Sequence, residues 1–95
     1  MSLEFEWNED KAILNIKKHG VDFETATAVF NDPLALIFDD TWNSVDESRE
    51  IIIGHDHNHR LLLVCFTERN NQIRIISARL ATKKERQYYE QHTGF

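Results

Sequence analysis

Residues 49–79 read REIIIGHDHNHRLLLVCFTERNNQIRIISAR, and this stretch decides the fold. Three apolar runs are separated by two short polar turns. Arg49–Gly54 predicts a strand, with Ile51-Ile52-Ile53 too apolar for a sheet face open to water. His55–His59 reads as a turn, Arg60–Thr67 as a second strand, Glu68–Asn71 as a turn and Gln72–Arg79 as a third strand. Runs this close together predict an antiparallel meander.

Working outward, Leu3, Phe5 and Trp7 alternate with acidic residues, which predicts a half-buried strand over Leu3–Trp7. Asn8 suits an N-cap, and a helix is expected from about Glu9 to Lys18, burying Ala12, Ile13 and Ile16. Lys17, Lys18 and His19 follow at its end, with Gly20 as the left-handed closing residue. Asp22 caps a second helix whose stripe is Phe23, Ala26, Val29 and Phe30; Asn31-Asp32-Pro33 stops it. A strand over Leu34–Phe38 and a polar loop over Asp39–Glu47, with Trp42 in its middle, lead into the meander. Beyond it, Thr82 caps a last helix and Glu85 completes a capping box. The order β-α-α-β-β-β-β-α predicts one α+β domain over residues 1–95. Its expected form is an antiparallel sheet of four to five strands, two N-terminal helices packed on it and a short C-terminal helix.

The hydrophobic fraction of 41% and aromatic fraction of 11% suffice for one core. No run approaches the ~20 apolar residues of a membrane span, and the N-terminus lacks the basic and apolar regions of a signal peptide. Cys65, alone and inside Leu61–Phe66, is expected to be a buried free thiol, which fits a cytoplasmic protein. The net charge of -5 argues against a general nucleic-acid binder. The charge is uneven: residues 1–50 hold 4 Lys+Arg against 12 Asp+Glu, and residues 51–95 hold 7 against 4. The cations gather in Arg74-Ile75-Ile76-Ser77-Ala78-Arg79 and in the helix start that follows. Guanidinium groups on a rigid strand suit phosphate recognition, because the planar fork makes two parallel hydrogen bonds.

Phe5-x-Trp7, Lys11, Asn15, Lys18-His19-Gly20, Phe23, Phe30, Asp32-Pro33, Arg49, Gly54, Ile75-Ile76-Ser77-Ala78-Arg79 and Glu85-Arg86 with Tyr88, in that order, resemble the BrnT toxins. The resemblance covers Phe5 to about Tyr89. Asn8 stands where the family often has Asp, and Leu80 where a basic residue is common, which removes one potential phosphate contact. The resemblance implies a RelE-like fold and a toxin of a type II toxin–antitoxin pair. It further implies an endoribonuclease that cuts RNA with no metal or other cofactor, neutralised by the antitoxin BrnA, with DNA reached only through that partner.

Such cleavage needs a base for the ribose 2′-hydroxyl, cations for the phosphate and an acid for the leaving 5′-oxygen. Arg79, at the end of its strand, is the leading phosphate ligand, unless a neighbouring acid holds it in an ion pair. Arg49 flanks the same site or pairs with Glu47 or Glu50. Strict alternation puts Arg74 on the opposite face from Arg79, so the two share a site only if a bulge or strand end re-aims one of them. His19 is a candidate acid or base by residue type, or else a helix-end group, and Glu68 is a further base candidate. Lys18, Lys83 and Arg86 are candidate RNA contacts; Tyr88, Tyr89 or Trp42 offer a ring for stacking a base, whereas Trp7 suits the core. The alternating histidines His55, His57 and His59 raise a metal-dependent hydrolase as another reading, though a turn breaks their alternation. The remaining alternative is a binding module of the same fold that regulates without cutting.

Overall fold

The computed structural model describes residues 3–43 and 47–94, so the centre of the predicted polar loop lies outside the described residues. Along the chain run β1 (Phe5–Glu6), α1 (Glu9–His19), α2 (Phe23–Ala26), a 3-10 turn (Thr27–Asn31) and β2 (Leu36–Asp39). A short 3-10 turn (Thr41–Asn43), β3 (Glu50–His55), β4 (Leu61–Arg69), β5 (Gln72–Leu80) and α3 (Lys83–Thr93) complete it. The sheet order is β1-β5-β4-β3-β2. The meander is as expected, and its β4–β5 hairpin turns on Asn70 and Asn71, at φ 53 and 64. Both residues are left-handed, which matches the twist of the flanking strands.

The purely antiparallel sheet is corrected. β1 runs parallel to β5, with Phe5 opposite Ile73. No hairpin joins the two strands, so nothing forces them antiparallel. β1 is also short, because Trp7 turns inward to meet the Phe23 ring edge-on at 6.1 Å. β2 starts late because Asp32 ties up the preceding turn: its Oδ1 accepts the Leu34 N–H at 2.9 Å and its carbonyl the Ala35 N–H at 3.1 Å.

Helices cover both faces of the sheet. On one, Ile52, Leu62, Val64, Phe66, Ile73 and Ile75 pack against Ala12, Val21, Phe23, Ala26 and Val29. On the other, Ile53, Leu61 and Leu63 pack against Tyr89 of α3. A fully buried side chain such as Phe23 or Tyr89 contributes roughly 1.5–3 kcal/mol by leaving water. Cys65 packs at the edge of this second cluster and is part-exposed rather than buried.

Two helix expectations are also corrected. Ile13 and Ile16 stay 53% and 49% exposed, and α1 buries Ala12 and Asn15 instead. Asn15 Nδ2 donates to the carbonyls of Ala78 and Val21, each at 2.8 Å, and its Oδ1 accepts the Ala78 N–H at 3.1 Å. Two-residue β1 leaves that part of β5 without a strand neighbour, so an amide side chain replaces one. The second helix is a single α-turn that tightens into 3-10 geometry from Thr27. Its last residue is followed by Asp32, which Pro33 holds extended at φ -72, ψ 114. Among the described residues no helix is long and apolar enough to cross a membrane.

Candidate functional site

β5 carries two of the candidate cations, Arg74 and Arg79, and it is bulged. Cys65 of β4 pairs with Ser77 and the next residue, Phe66, with Ile75, so Ile76 has no partner across the ladder. One extra residue reverses the alternation. Ile73, Ile75 and Ala78 all face α1 and α2. Arg74, Ser77 and Arg79 therefore share the opposite face, across from Thr67, Cys65 and Leu63. The condition for the two arginines to act together is met by the backbone itself.

Arg79 is held from α3. Its Nη1 and Nη2 donate to the two carboxylate oxygens of Glu85 at 2.8 and 2.9 Å, and Nη1 also reaches the Leu80 carbonyl at 3.3 Å. The hydrogen bond to Glu85 raises the Arg79 pKa above its usual value, and the same bond lowers that of Glu85. Glu85 Oε1 also accepts the Thr82 N–H at 2.8 Å, closing the capping box. One Nη2–H and the Nε–H of Arg79 remain for a phosphate.

At the other end of the same face, Arg74 Nη1 lies 3.4 Å from Glu6 Oε1. Arg69, which sequence reasoning passed over, donates to Glu47 at 2.6 Å. That bond is the chief cause holding the Glu47 carboxyl low, with Arg49 and Arg74 adding to it. Arg49, Arg69 and Arg74 thus gather around one part-exposed carboxylate. Nothing local marks Arg69, because only the β4–β5 hairpin carries it there.

α3 presents the remaining candidates beside this face. Tyr88 meets Phe38 edge-on at 5.4 Å and stacks on His92 at 3.9 Å. A groove of about 450 Å3 runs between Tyr88, Lys84 and the sheet residues Phe38, Ile51, Ile53 and Leu63. Lys83 is exposed at the helix start, and Arg86 points to the other flank of α3, beside His55 and His59. Trp42 is 93% exposed.

The other candidates lie elsewhere. Lys18 and His19 close α1, which packs on the far face of the sheet, with Gly20 at φ 69 ending the helix. Glu68 pairs with Ile73, so it too is on the α1 face. The three histidines diverge, since His57 lines a cleft with Trp7 and Asp22. Among the described residues no group of three or more His, Cys, Asp or Glu is arranged to hold a metal ion.

A cluster that the sequence did not suggest joins Asp32, His55 and Tyr89. Asp32 Oδ2 accepts the His55 N–H at 2.8 Å and the Tyr89 hydroxyl at 3.0 Å, and lies 3.5 Å from His55 Nδ1. Burial pushes the Asp32 carboxyl up, but the N–H donors of His55 and Leu34 and the Tyr89 hydroxyl outweigh it and hold the group low. The Tyr89 hydroxyl is pushed up to about 12, first by burial and then by its bond to Asp32. Gly54 makes room for this cluster: a Cβ there would stand 3.0 Å from Val29 Cγ1 and 3.1 Å from Asp32 Oδ2. The only sequence signal was that both Asp32 and Gly54 belong to the resemblance noted above.

Residues 7–85 match the family described as ribonuclease toxin, BrnT, of type II toxin–antitoxin systems. Among solved structures the chain is similar to the ribonuclease toxin BrnT of Brucella abortus, with 25% identity and a TM-score of 0.66. That match covers 86% of this chain and 100% of the other. No curated protein matches the chain.

Proposed function

This chain belongs to the BrnT family of ribonuclease toxins of type II toxin–antitoxin systems, and from that premise we propose that it is an endoribonuclease that cuts RNA without a metal ion. The observation that carries the reading is the bulge at Ile76, which puts Arg74 and Arg79 on one face of β5. Arg49 stands near Arg74, since both act on Glu47. A line of guanidinium groups on a rigid sheet offers a track for a phosphate backbone. Phosphoryl chemistry of this kind depends chiefly on positioning and charge. Lys83 adds positive charge at the start of α3, Arg86 adds it on the helix's other flank, and Tyr88 with Phe38 offers an apolar groove for a base. His19, Lys18 and Glu68 lie on the α1 side of the sheet, and this reading does not call on them.

In this reading the fold is RelE-like, the protein works in the cytoplasm where RNA is available, and its partner is a BrnA-type antitoxin through which alone it meets DNA. The test is incubation of purified protein with RNA in EDTA. Cleavage in chelator supports the reading; activity that vanishes and returns with zinc or magnesium defeats it. One observation favours the alternative, a non-cutting regulatory module of the same fold: Glu85 already occupies much of Arg79. Binding of RNA without any strand scission would select that alternative.

A further inference from the structure

The histidine turn is the sequence motif that this function leaves unused. His57 turns toward α1 and α2, but His55 and His59 line a pocket of about 350 Å3 with Arg86, Tyr89 and Glu90 of α3. Two imidazoles and a guanidinium share one pocket, although the turn and α3 are far apart in sequence.

The His55 imidazole and the His59 backbone are each held. Asp32 lies 3.5 Å from His55 Nδ1 and also holds the His55 backbone N–H, while the Tyr89 ring meets the imidazole edge-on at 5.2 Å. His59 stands at φ 61, in the left-handed region that a residue with a Cβ disfavours. Asp56 keeps it there. Its carbonyl accepts the His59 N–H at 3.2 Å, and its buried carboxylate accepts the N–H groups of Asn58 and Arg60 at 2.8 and 2.9 Å. Glycine would occupy this position without strain. Strained non-glycine residues cluster where the side chain is needed.

We propose that this pocket is the acid–base centre of RNA cleavage, with Arg86 holding the scissile phosphate between His55 and His59. The inference rests on the ribonuclease reading above. His55 takes the proton of the ribose 2′-hydroxyl, and Asp32 orients the ring and stabilises the charge it acquires. The 2′-oxygen attacks phosphorus as the bond from phosphorus to the 5′-oxygen breaks. That oxygen leaves with a proton from the imidazolium of His59. The products are a 2′,3′-cyclic phosphate and a 5′-hydroxyl, and neither oxidant nor reductant is required. Glu90 on the rim tempers the attraction for phosphate, so affinity comes mainly from Arg49, Arg74 and Arg79, which hold flanking phosphates.

The experiment compares the full-length wild type with His59→Gly and His55→Gln, using a short RNA in EDTA. Turnover, product ends, melting temperature and affinity for an uncleavable 2′-deoxy analogue are measured. His59→Gly removes the imidazole and relieves the left-handed residue. Its melting temperature should hold or rise while turnover falls about a hundredfold or more. Affinity for the analogue should stay within about twofold, as expected for a group that acts in the transition state. His55→Gln should lose turnover to a similar extent, and the wild type should leave cyclic phosphate ends. Wild-type turnover in folded His59→Gly or folded His55→Gln overturns the pocket and leaves the ribonuclease reading standing. If His55→Gln does not fold, His59→Gly decides alone, because His59 is exposed at a turn. A wild-type chain that cuts no RNA defeats the ribonuclease reading, and the pocket falls with it.

Discussion

Arg79 has two claims on it. The fork that suits a phosphate is the fork that Glu85 grips, and lysine reproduces the charge without the fork. Arg79→Lys should therefore lower kcat/KM for RNA nearly as far as Arg79→Ala, and wild-type cleavage in either variant would remove Arg79 from the track. Because the pair is partly exposed, its loss should cost only about 1 kcal/mol of stability. The sign with pH follows from Glu85, whose folded pKa lies below its ordinary value of 4.5. Its contribution is full above that value and is lost as pH falls through the folded one. Denaturation at neutral pH should separate wild type from Arg79→Ala, and the difference should close in acid. Tyr89 gives the opposite limb. Its pKa rises from 10.0 to about 12, so its contribution is full below 10 and disappears as pH rises toward 12. Tyr89→Phe should cost about 2 kcal/mol at neutral pH, since it takes a donor from the buried side of Asp32. Its alkaline unfolding should begin at higher pH relative to its own neutral stability. An unchanged alkaline limb would mean that another group titrates there.

At the scale of elements, β5 and α1 depend on each other. Asn15 satisfies both backbone groups of Ala78 where β1 does not reach. Asn15→Ala should cost about 2–4 kcal/mol by leaving Ala78 and Val21 polar groups unpaired. Cleavage by the folded fraction should stay unchanged; a loss there would place α1 in the site. This dependence also explains which parts of the fold were legible in the sequence. The meander was, because Ile51–Ile53, Leu61–Phe66 and Ile73–Ile76 are bounded by polar turns and each hairpin is a local event. The capping box of Thr82 and Glu85 was legible for the same reason. The buried face of α1 was not, because Ile13 and Ile16 carry the apolar signal while Asn15 answers a need set by the length of a strand distant in sequence. The bulge at Ile76 was equally hidden: periodicity shows what alternation requires, not where a ladder skips. Hence the chain showed Arg74 and Arg79 as cations and left open whether they act together. The Asp32–His55–Tyr89 cluster, drawn from three elements, had no local signature at all.

Across the whole molecule, charge is segregated. The first fifty residues carry 4 Lys+Arg against 12 Asp+Glu, and the remainder carries 7 against 4. The cations of the second half gather on β5 and α3, where Arg74 and Arg79 share one face and Lys83 and Lys84 stand beside it, although Glu6 and Glu47 of the first half pair with arginines there. Cations gathered there would draw in a phosphate backbone. An antitoxin that blocks RNA by direct occlusion must cover the same cations, so its contacting surface should be acidic. Long-range attraction of this kind acts mainly on encounter, and added salt screens it over about 8–10 Å. Raising the salt from about 50 to 200 mM should therefore slow association several-fold and change dissociation far less. Reversing the charge of Lys83 and Arg86 together should slow association at low salt and remove most of its salt dependence. Both residues are exposed on α3, so the fold should survive the change. Stopped-flow binding with the purified pair measures each quantity. Association indifferent to salt, or a complex that leaves Arg74 and Arg79 open to solvent while RNA is still excluded, would rule out occlusion. Inhibition would then have to pass through the sheet from the α1 side, and Asn15, which joins α1 to β5 beside Arg79, is the contact through which it would be transmitted.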